Sequence, residues 1–95
     1  VYVYQRLTSG WQQKALLRPS TNQFRQFGSK VKISQDLIAV CAPISESFNG
    51  SVLLFPKPTT GWSNTSQTAV LRPSDAATFK SFGNSVDIFE ETVLV

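Results

Sequence analysis

The residues of this chain that could do chemistry are few, and their spacing argues against catalysis. Cys41 is the only cysteine and the chain has no histidine, so it can form neither an internal disulfide nor a local Cys–His or zinc site. Glu90 and Glu91 are adjacent, so their carboxylates would not face each other as an acid–base pair. No nucleophile elbow or glycine-rich phosphate loop is present. We therefore predict that the chain is not an enzyme and uses no cofactor or metal.

Polar side chains that could bind a partner lie instead in three connections, at residues 18–27, 42–50 and 72–82. The candidate partner-binding residues are Arg18, Asn22, Arg25, Arg72, Asp75 and Lys80. Loops carry function more often than the elements they connect, although solvated loop residues would have the same composition. Asn49 and Asn64 each begin an Asn-X-Ser/Thr tripeptide, which indicates possible glycosylation and an extracellular context.

Charge and composition narrow the class of partner. The net charge is +3, with six Lys/Arg against two Asp/Glu in residues 1–50 and three against four in residues 51–95. The aromatic residues lie in apolar runs and not among the basic ones, so nucleic-acid binding is not expected. No apolar run approaches the roughly 18–20 residues of a membrane span, so direct membrane insertion is not expected either.

The sequence contains an internal repeat with four landmarks in a constant order. The landmarks are an apolar run at 1–4 and 52–55, Gly-Trp at 10–11 and 61–62, Leu-Arg-Pro-Ser at 17–20 and 71–74, and Phe-Gly at 27–28 and 82–83. The offset grows from 51 residues at Gly-Trp to 55 at Phe-Gly, because three extra residues follow Trp62 and one precedes Phe82. A period of this size is typical of propellers, solenoids and arrays.

Each unit is predicted to consist of short strands. Runs rich in β-branched and aromatic residues predict strands at 1–4, 30–33, 37–40, 51–55, 68–71, 85–89 and 92–95, with a weaker eighth strand at 12–17. The tight links at 34–36 and 90–91 predict hairpins. Four antiparallel strands per unit are typical of a propeller blade, so the predicted fold class is all-β. Cys41, in an apolar strand, is expected to be a small buried side chain.

The order of these motifs resembles the FG-GAP repeat. The phrase Phe-Gly-x-x-Val-x-Ile occurs at 27–33 and 82–88, and it is followed by Cys41-Ala42-Pro43, an apolar strand at 51–55 and Gly-Trp at 61–62. The FG-GAP repeat builds the β-propeller of integrin α chains and of many surface proteins. The resemblance covers essentially the whole chain as just under two repeats, and it implies propeller blades and a role in surface recognition.

Two departures from that family limit what the resemblance implies. Calcium-binding members carry an Asp/Asn-rich loop between the first two strands of a blade, because calcium is held by several oxygen ligands. Here that place holds only residues 34–36 and 90–91, so no calcium is expected there. Arg25 and Lys80 stand where the family often has an acidic residue. The metal and ligand sites of integrins are therefore not expected.

The repeat also predicts packing roles for the aromatic landmarks. Phe27 and Phe82 are expected to fill the space between neighbouring blades, with Phe24 and Phe79 in the same layer. Trp11 and Trp62 are likewise expected to pack within the blades and not to form a ligand platform. The glycine of each Phe-Gly pair would permit a close or left-handed turn.

The predicted organisation is one complete blade between two halves. Residues 1–26 supply the third and fourth strands of one blade, 27–72 a complete blade, and 73–95 the loop and first two strands of the next. Such a segment leaves apolar faces and strand edges uncovered. The partners that would cover them are the remaining blades of a larger propeller, which we expect, or copies of the chain that close a ring.

Together these observations predict a non-catalytic β-propeller segment for protein binding, adhesion or scaffolding in a larger surface or secreted protein, with a protein or glycan ligand. One alternative is an accessory propeller of a multidomain enzyme whose catalytic residues lie outside this chain. A second is a purely architectural blade without a ligand face.

Overall fold

The computed structural model describes residues 1–44, 49–75 and 81–95, and in these residues it contains eight β-strands and no helix. The strands are β1 (Tyr2–Leu7), β2 (Gly10–Leu16), β3 (Val31–Ser34), β4 (Leu37–Ala42), β5 (Ser51–Pro56), β6 (Ala69–Leu71), β7 (Asp87–Phe89) and β8 (Thr92–Leu94). All eight predicted strands are confirmed, with bounds shifted by no more than three residues. The described segments include no helix long and apolar enough to cross a membrane.

The strands form three antiparallel sheets in chain order. β1 and β2 make a two-stranded sheet, β3 to β6 make a four-stranded sheet, and β7 and β8 make a second two-stranded sheet. Both predicted hairpins, β3–β4 and β7–β8, are confirmed. The all-β, antiparallel fold class is therefore confirmed, and the described residues do not close into a ring. The proposed unit boundaries at 26/27 and 72/73 stay a prediction.

The repeat seen in the sequence is also a repeat of backbone conformation. Gln35 and Glu90, the first residues of the two hairpin turns, have φ values of 42° and 52°. Gln26 and Ser81, which precede the two Phe-Gly pairs, have φ values of 56° and 54°. A left-handed backbone conformation costs a residue other than glycine about 1–2 kcal/mol. Both units therefore contain the same strained turns, and tertiary packing must stabilise them.

The four-stranded sheet is buried on both of its faces. One face packs against the β1–β2 sheet in a cluster whose buried members are Val3, Ala15, Leu17, Phe24, Ile38, Val40, Ala42, Leu53 and Phe55. The other face packs against the β7–β8 sheet in a cluster whose buried members are Ala39, Cys41, Val52 and Val86. Successive side chains of β4 and β5 point to opposite faces, which explains why these two strands are apolar at every position but Ser51.

Most of the aromatic residues pack as predicted. Phe24 is buried, and Phe27 packs edge-on against Phe55 with ring centroids 5.9 Å apart. Phe82 packs, partly buried, against the second cluster. Trp62 is half-buried against the first cluster, and the Lys57 ammonium lies 6.0 Å from its ring centroid. These rings fill the spaces between the sheets.

The prediction for Trp11 is wrong. Its side chain is 70% exposed, whereas Trp62 at the equivalent position is half-buried. The difference arises because Trp62 has the β1–β2 sheet beside it, while no described residue covers the outer face of β1–β2. Phe79, the counterpart of Phe24, lies outside the described residues.

The second Phe-Gly pair forms a close junction between two sheets. The Phe82 amide donates a hydrogen bond of 2.9 Å to the Asn49 carbonyl oxygen. A Cβ atom on Gly50 would lie 2.8 Å from the backbone N and C atoms of Phe82, and one on Gly83 would lie 2.8 Å from the Ser51 carbonyl oxygen. Glycine is required at both positions because two backbones meet there without room for a side chain.

The first Phe-Gly pair makes the equivalent contact. A Cβ atom on Gly28 would meet Val1 Cγ2 at 3.6 Å, and one on Gly83 would meet Val52 Cγ2 at 3.2 Å. Val1 and Val52 occupy the same place in the two apolar runs of the repeat. The Phe-Gly pair of each unit therefore packs on the same residue of the preceding unit.

The junction predicts unequal costs for two glycine substitutions. Gly61→Ala places a Cβ in open space at φ 105° and should cost about 1–2 kcal/mol through backbone strain alone. Gly50→Ala adds the clash with Phe82 to a similar strain, so its loss of unfolding free energy in urea should exceed that of Gly61→Ala by more than about 2 kcal/mol. Equal losses would show that the two backbones are not in contact.

Candidate functional site

The three candidate loops leave the sheets at one common end. β2, β4 and β6 finish there, and β3, β5 and β7 begin there, because neighbouring strands of each sheet are antiparallel. Hydrogen bonds link the strand ends across this edge: Leu17 N to Val1 O at 2.7 Å, and Gly28 N to Cys41 O at 3.0 Å. We call this edge the loop end and the opposite edge, with the hairpin turns at 35–36 and 90–91, the turn end.

Five of the six candidate partner-binding residues are exposed at or near the loop end. They are Arg18, Asn22, Arg25, Arg72 and Asp75. Lys80 lies outside the described residues, as does much of the 42–50 loop. Arg18 borders an open cleft of about 360 Å³ together with Leu16, Asn64, Thr65 and Ser66. Arg25 lies in a tight bend in which its amide donates to the Gln23 carbonyl oxygen at 3.1 Å.

A set of long-range hydrogen bonds near Arg18 was not predicted from the sequence. The Arg18 amide donates to the Thr65 carbonyl oxygen at 3.1 Å, and the Leu16 amide donates to Asn64 Oδ1 at 2.8 Å. The Gln67 side chain accepts from the Ser20 amide at 2.9 Å and donates to Ser20 Oγ at 2.7 Å. We call these contacts the clasp, since they hold the end of β2 and the residues after it against the segment before β6.

The clasp corresponds to an insertion in the second unit of the repeat. The second unit carries three more residues after Trp62 than the first unit carries after Trp11. In the first unit Gly10 and Trp11 already belong to β2, whereas in the second unit residues 64–67 lie outside the strands and reach the neighbouring unit. The insertion therefore supplies a contact between units.

The two possible glycosylation sites lie in different surroundings. Asn64 is exposed, and its side-chain oxygen accepts a hydrogen bond from the Leu16 amide. Its side-chain nitrogen is the atom to which a glycan would be attached. Asn49 is half-buried beside the Phe82 junction, and its side-chain oxygen is shielded from solvent. Of the two, Asn64 has the surroundings that suit a bulky surface modification.

Charge is distributed unequally between the two ends. The loop end carries Arg18, Arg25 and Arg72 against Asp75, so its described part is basic. The turn end carries Asp36, Glu90 and Glu91, which line an open cleft of about 960 Å³ between the two hairpin turns, and Lys57, whose amide donates to the Asp36 carbonyl oxygen at 2.7 Å. Within the ranges 1–44, 49–75 and 81–95, no group of three or more His, Cys, Asp or Glu residues is placed to hold a metal ion.

The thiol of Cys41 is fully buried in the second apolar cluster. Burial raises the pKa of this thiol above its ordinary value of 9.0, and the positive charge of Lys30 opposes the shift. A buried, protonated thiol is a poor nucleophile. Cys41 is therefore a packing residue, as its apolar strand predicted.

The comparisons with known proteins add one match. The family model described as the FG-GAP repeat matches residues 65–95, about a third of the chain, and confirms the predicted resemblance over that segment. FG-GAP repeats typically occur in extracellular or surface proteins, including propeller proteins of the adhesion type. No curated protein and no solved structure matched the chain.

The clasp predicts a specific effect of changing Asn64. Asn64→Ala leaves the Leu16 amide without its acceptor and should lower the free energy of unfolding by about 1 kcal/mol. Asn64→Asp keeps an acceptor oxygen and should retain most of that stability. Hydrogen exchange at the Leu16 amide should become faster in Asn64→Ala only, and unchanged exchange in both variants would contradict the clasp.

The pKa of Cys41 predicts how stability depends on pH. Below the ordinary pKa of 9.0 the thiol is protonated in both the folded and the unfolded chain, so its contribution does not change. As the pH rises above that value, the unfolded thiol ionises first, and stability should fall by up to about 1.4 kcal/mol per pH unit. In urea titrations at pH 8 to 10, the free energy of unfolding of the Cys41→Ala variant should therefore fall less with rising pH than that of the unchanged protein. An equal fall in both proteins would contradict the raised pKa of Cys41.

Proposed function

We propose that the chain is a segment of an FG-GAP β-propeller that acts as a non-catalytic binding, adhesion or scaffolding module of a larger surface or secreted protein. The observation that carries the proposal is the repetition of one packing arrangement in two successive units, each with its Phe-Gly pair on the preceding unit. The FG-GAP match over residues 65–95 supports the same architecture.

The sheet topology supports the propeller part of the proposal. Strands β3 to β6 follow one another in chain order within the four-stranded sheet, which we call the central sheet. The two-stranded sheets pack face to face against it. Propeller blades are four-stranded sheets packed in this way around a central axis. On this basis residues 1–26, 27–72 and 73–95 are a half blade, a complete blade and a second half blade.

The loop end is the proposed binding face. It gathers the connections between fourth and first strands and between second and third strands, and it exposes Arg18, Arg25 and Arg72. Exposed guanidinium groups bind carboxylates and sulfates through paired hydrogen bonds. The ligand that suits this face is an acidic protein surface or an anionic glycan, and catalysis has no role in the proposal.

The test compares two double variants that remove the same charge. Arg18→Ala with Arg25→Ala acts on the loop end, while Arg6→Ala with Lys14→Ala acts on β1 and β2. Binding to immobilised heparin and to a polyglutamate peptide should weaken by roughly threefold to tenfold in the first variant, from about 1 kcal/mol of lost charge contacts. The second variant should change binding much less, and the difference should shrink at high salt.

Equal weakening in both double variants would show that only net charge matters, and the loop end would then not be the binding face. Unfolding in urea serves as the control for both variants, since all four side chains are at least partly exposed and should contribute little to stability.

A further inference from the structure

The clasp borders an open cleft between the two units, which we call the clasp cleft. It has a volume of about 360 Å³ and lies between the end of β2 and the segment before β6. Its walls are formed by Leu16, Arg18, Asn64, Thr65 and Ser66. This volume is near the lower limit for small-molecule pockets, so it suits a group of the size of one sugar ring or one side chain.

The clasp uses hydrogen-bond acceptors of this cleft and leaves donors. The Thr65 carbonyl oxygen accepts from the Arg18 amide at 3.1 Å, and Asn64 Oδ1 accepts from the Leu16 amide at 2.8 Å. The side-chain groups that remain are a guanidinium, an amide nitrogen and two hydroxyls, from Arg18, Asn64, Thr65 and Ser66. All of them can donate, and among the described residues no acidic side chain lines the cleft. A ligand for this cleft must therefore supply acceptors.

The Arg18 guanidinium carries the charge of the cleft, and the backbone that bears it is fixed. Leu17 forms a parallel bridge with Thr65, and the Arg18 amide is bonded to the same residue. Pro19 follows and restricts the Arg18 backbone to extended conformations. Within the described residues the guanidinium forms no ion pair. Its paired N–H groups are therefore available to a carboxylate.

We propose that the clasp cleft binds an acidic sugar, a hexuronate, through its carboxylate and its ring oxygens. The proposal rests on the binding face proposed above, and it adds the place of contact and the kind of ligand. The guanidinium would hold the carboxylate through two parallel hydrogen bonds, while the side chains of 64–66 would donate to the oxygens of the ring. An aspartate or glutamate side chain offers the carboxylate alone and would leave those donors unused. One rigid ring supplies both kinds of acceptor at once.

Asn64 connects this cleft with the possible glycosylation site. Its side-chain nitrogen is both a donor on the wall of the cleft and the atom to which a glycan would be attached. An attached glycan would replace one hydrogen of that nitrogen and occupy the mouth of the cleft. Binding of a free hexuronate and glycosylation of Asn64 are therefore alternatives.

Titration of the chain with three small molecules, followed by the NMR signals of its backbone amides, tests the kind of ligand. Methyl glucuronide carries the carboxylate and the ring, methyl glucoside the ring alone, and acetate the carboxylate alone. Methyl glucuronide should shift the signals of Leu16, Arg18 and residues 64–66 with a Kd of roughly 1–10 mM, the affinity of a few hydrogen bonds. The other two should each bind at least about tenfold more weakly. No shift with methyl glucuronide, or equal affinity for acetate or for methyl glucoside, would overturn the proposal.

Two substitutions separate the chemistry of the cleft from its net charge. Arg18→Lys keeps the positive charge but loses the paired hydrogen bonds, so the Kd for methyl glucuronide should rise roughly fivefold. Asn64→Asp keeps an acceptor for the Leu16 amide, and therefore the clasp, but it replaces a donor by a negative charge and should abolish the shifts. Unfolding in urea checks that this variant remains folded.

Lys14→Ala is the matched control for the loss of one charge. Lys14 lies on β2 outside the clasp cleft, so its removal should change the Kd for methyl glucuronide by less than about twofold. Unchanged binding in both Arg18→Lys and Asn64→Asp, or an equal loss in Lys14→Ala, would show that the cleft is not the site.

These outcomes are separate from those of the heparin test. Arg25 does not line the clasp cleft, so weaker heparin binding in Arg25→Ala reports on the loop end alone. Heparin binding that depends on Arg25, together with no glucuronide shift, would overturn the cleft and retain the binding face. Glucuronide shifts that Asn64→Asp abolishes, in a chain whose heparin binding does not depend on Arg18 and Arg25, would retain the cleft and overturn the face.

Discussion

Burial of one sheet on both faces is the constraint on which the remaining structure depends. β4 and β5 are apolar at nearly every position, and such strands are stable only when another layer lies on each side. The β1–β2 and β7–β8 sheets supply those layers, and the glycines at 50 and 83 let the second layer approach at backbone contact. Each two-stranded sheet packs on the central sheet with one face only, so apolar side chains of its other face stay at the surface.

Local patterns were sufficient to predict the strands. Alternation of β-branched residues, tight links at 34–36 and 90–91 and the repeated Phe-Gly pairs determined eight strands and two hairpins, all of which are present. The resemblance to the FG-GAP repeat came from the order of the same motifs and was matched over residues 65–95. These features depend on neighbouring residues in the chain, which is why the sequence reveals them.

Properties that depend on distant residues could not be predicted in the same way. Trp11 and Trp62 occupy equivalent positions, yet their exposure differs because only one of them has a neighbouring sheet. The hydrogen bond between Leu16 and Asn64 spans 48 residues and follows no periodic pattern. The candidate binding residues stay a prediction, because exposure at the loop end is compatible with binding and with simple solvation alike.

The clasp makes the contact of β1–β2 with the central sheet different in kind from the contact of β7–β8 with it; we call these contacts the first and second joints. The first joint combines a buried apolar cluster with side-chain bonds from Asn64 and Gln67, and it joins to the central sheet a hairpin whose strands are six and seven residues long. The second joint holds a hairpin of two three-residue strands. In repeat proteins each unit is stabilised mainly by its neighbours. Among the described residues, the side-chain hydrogen bonds of Asn64 and Gln67 act at the first joint and the backbone junction of Asn49 with Phe82 acts at the second, so the first joint can be loosened by changing a side chain whereas the second depends on the main chain.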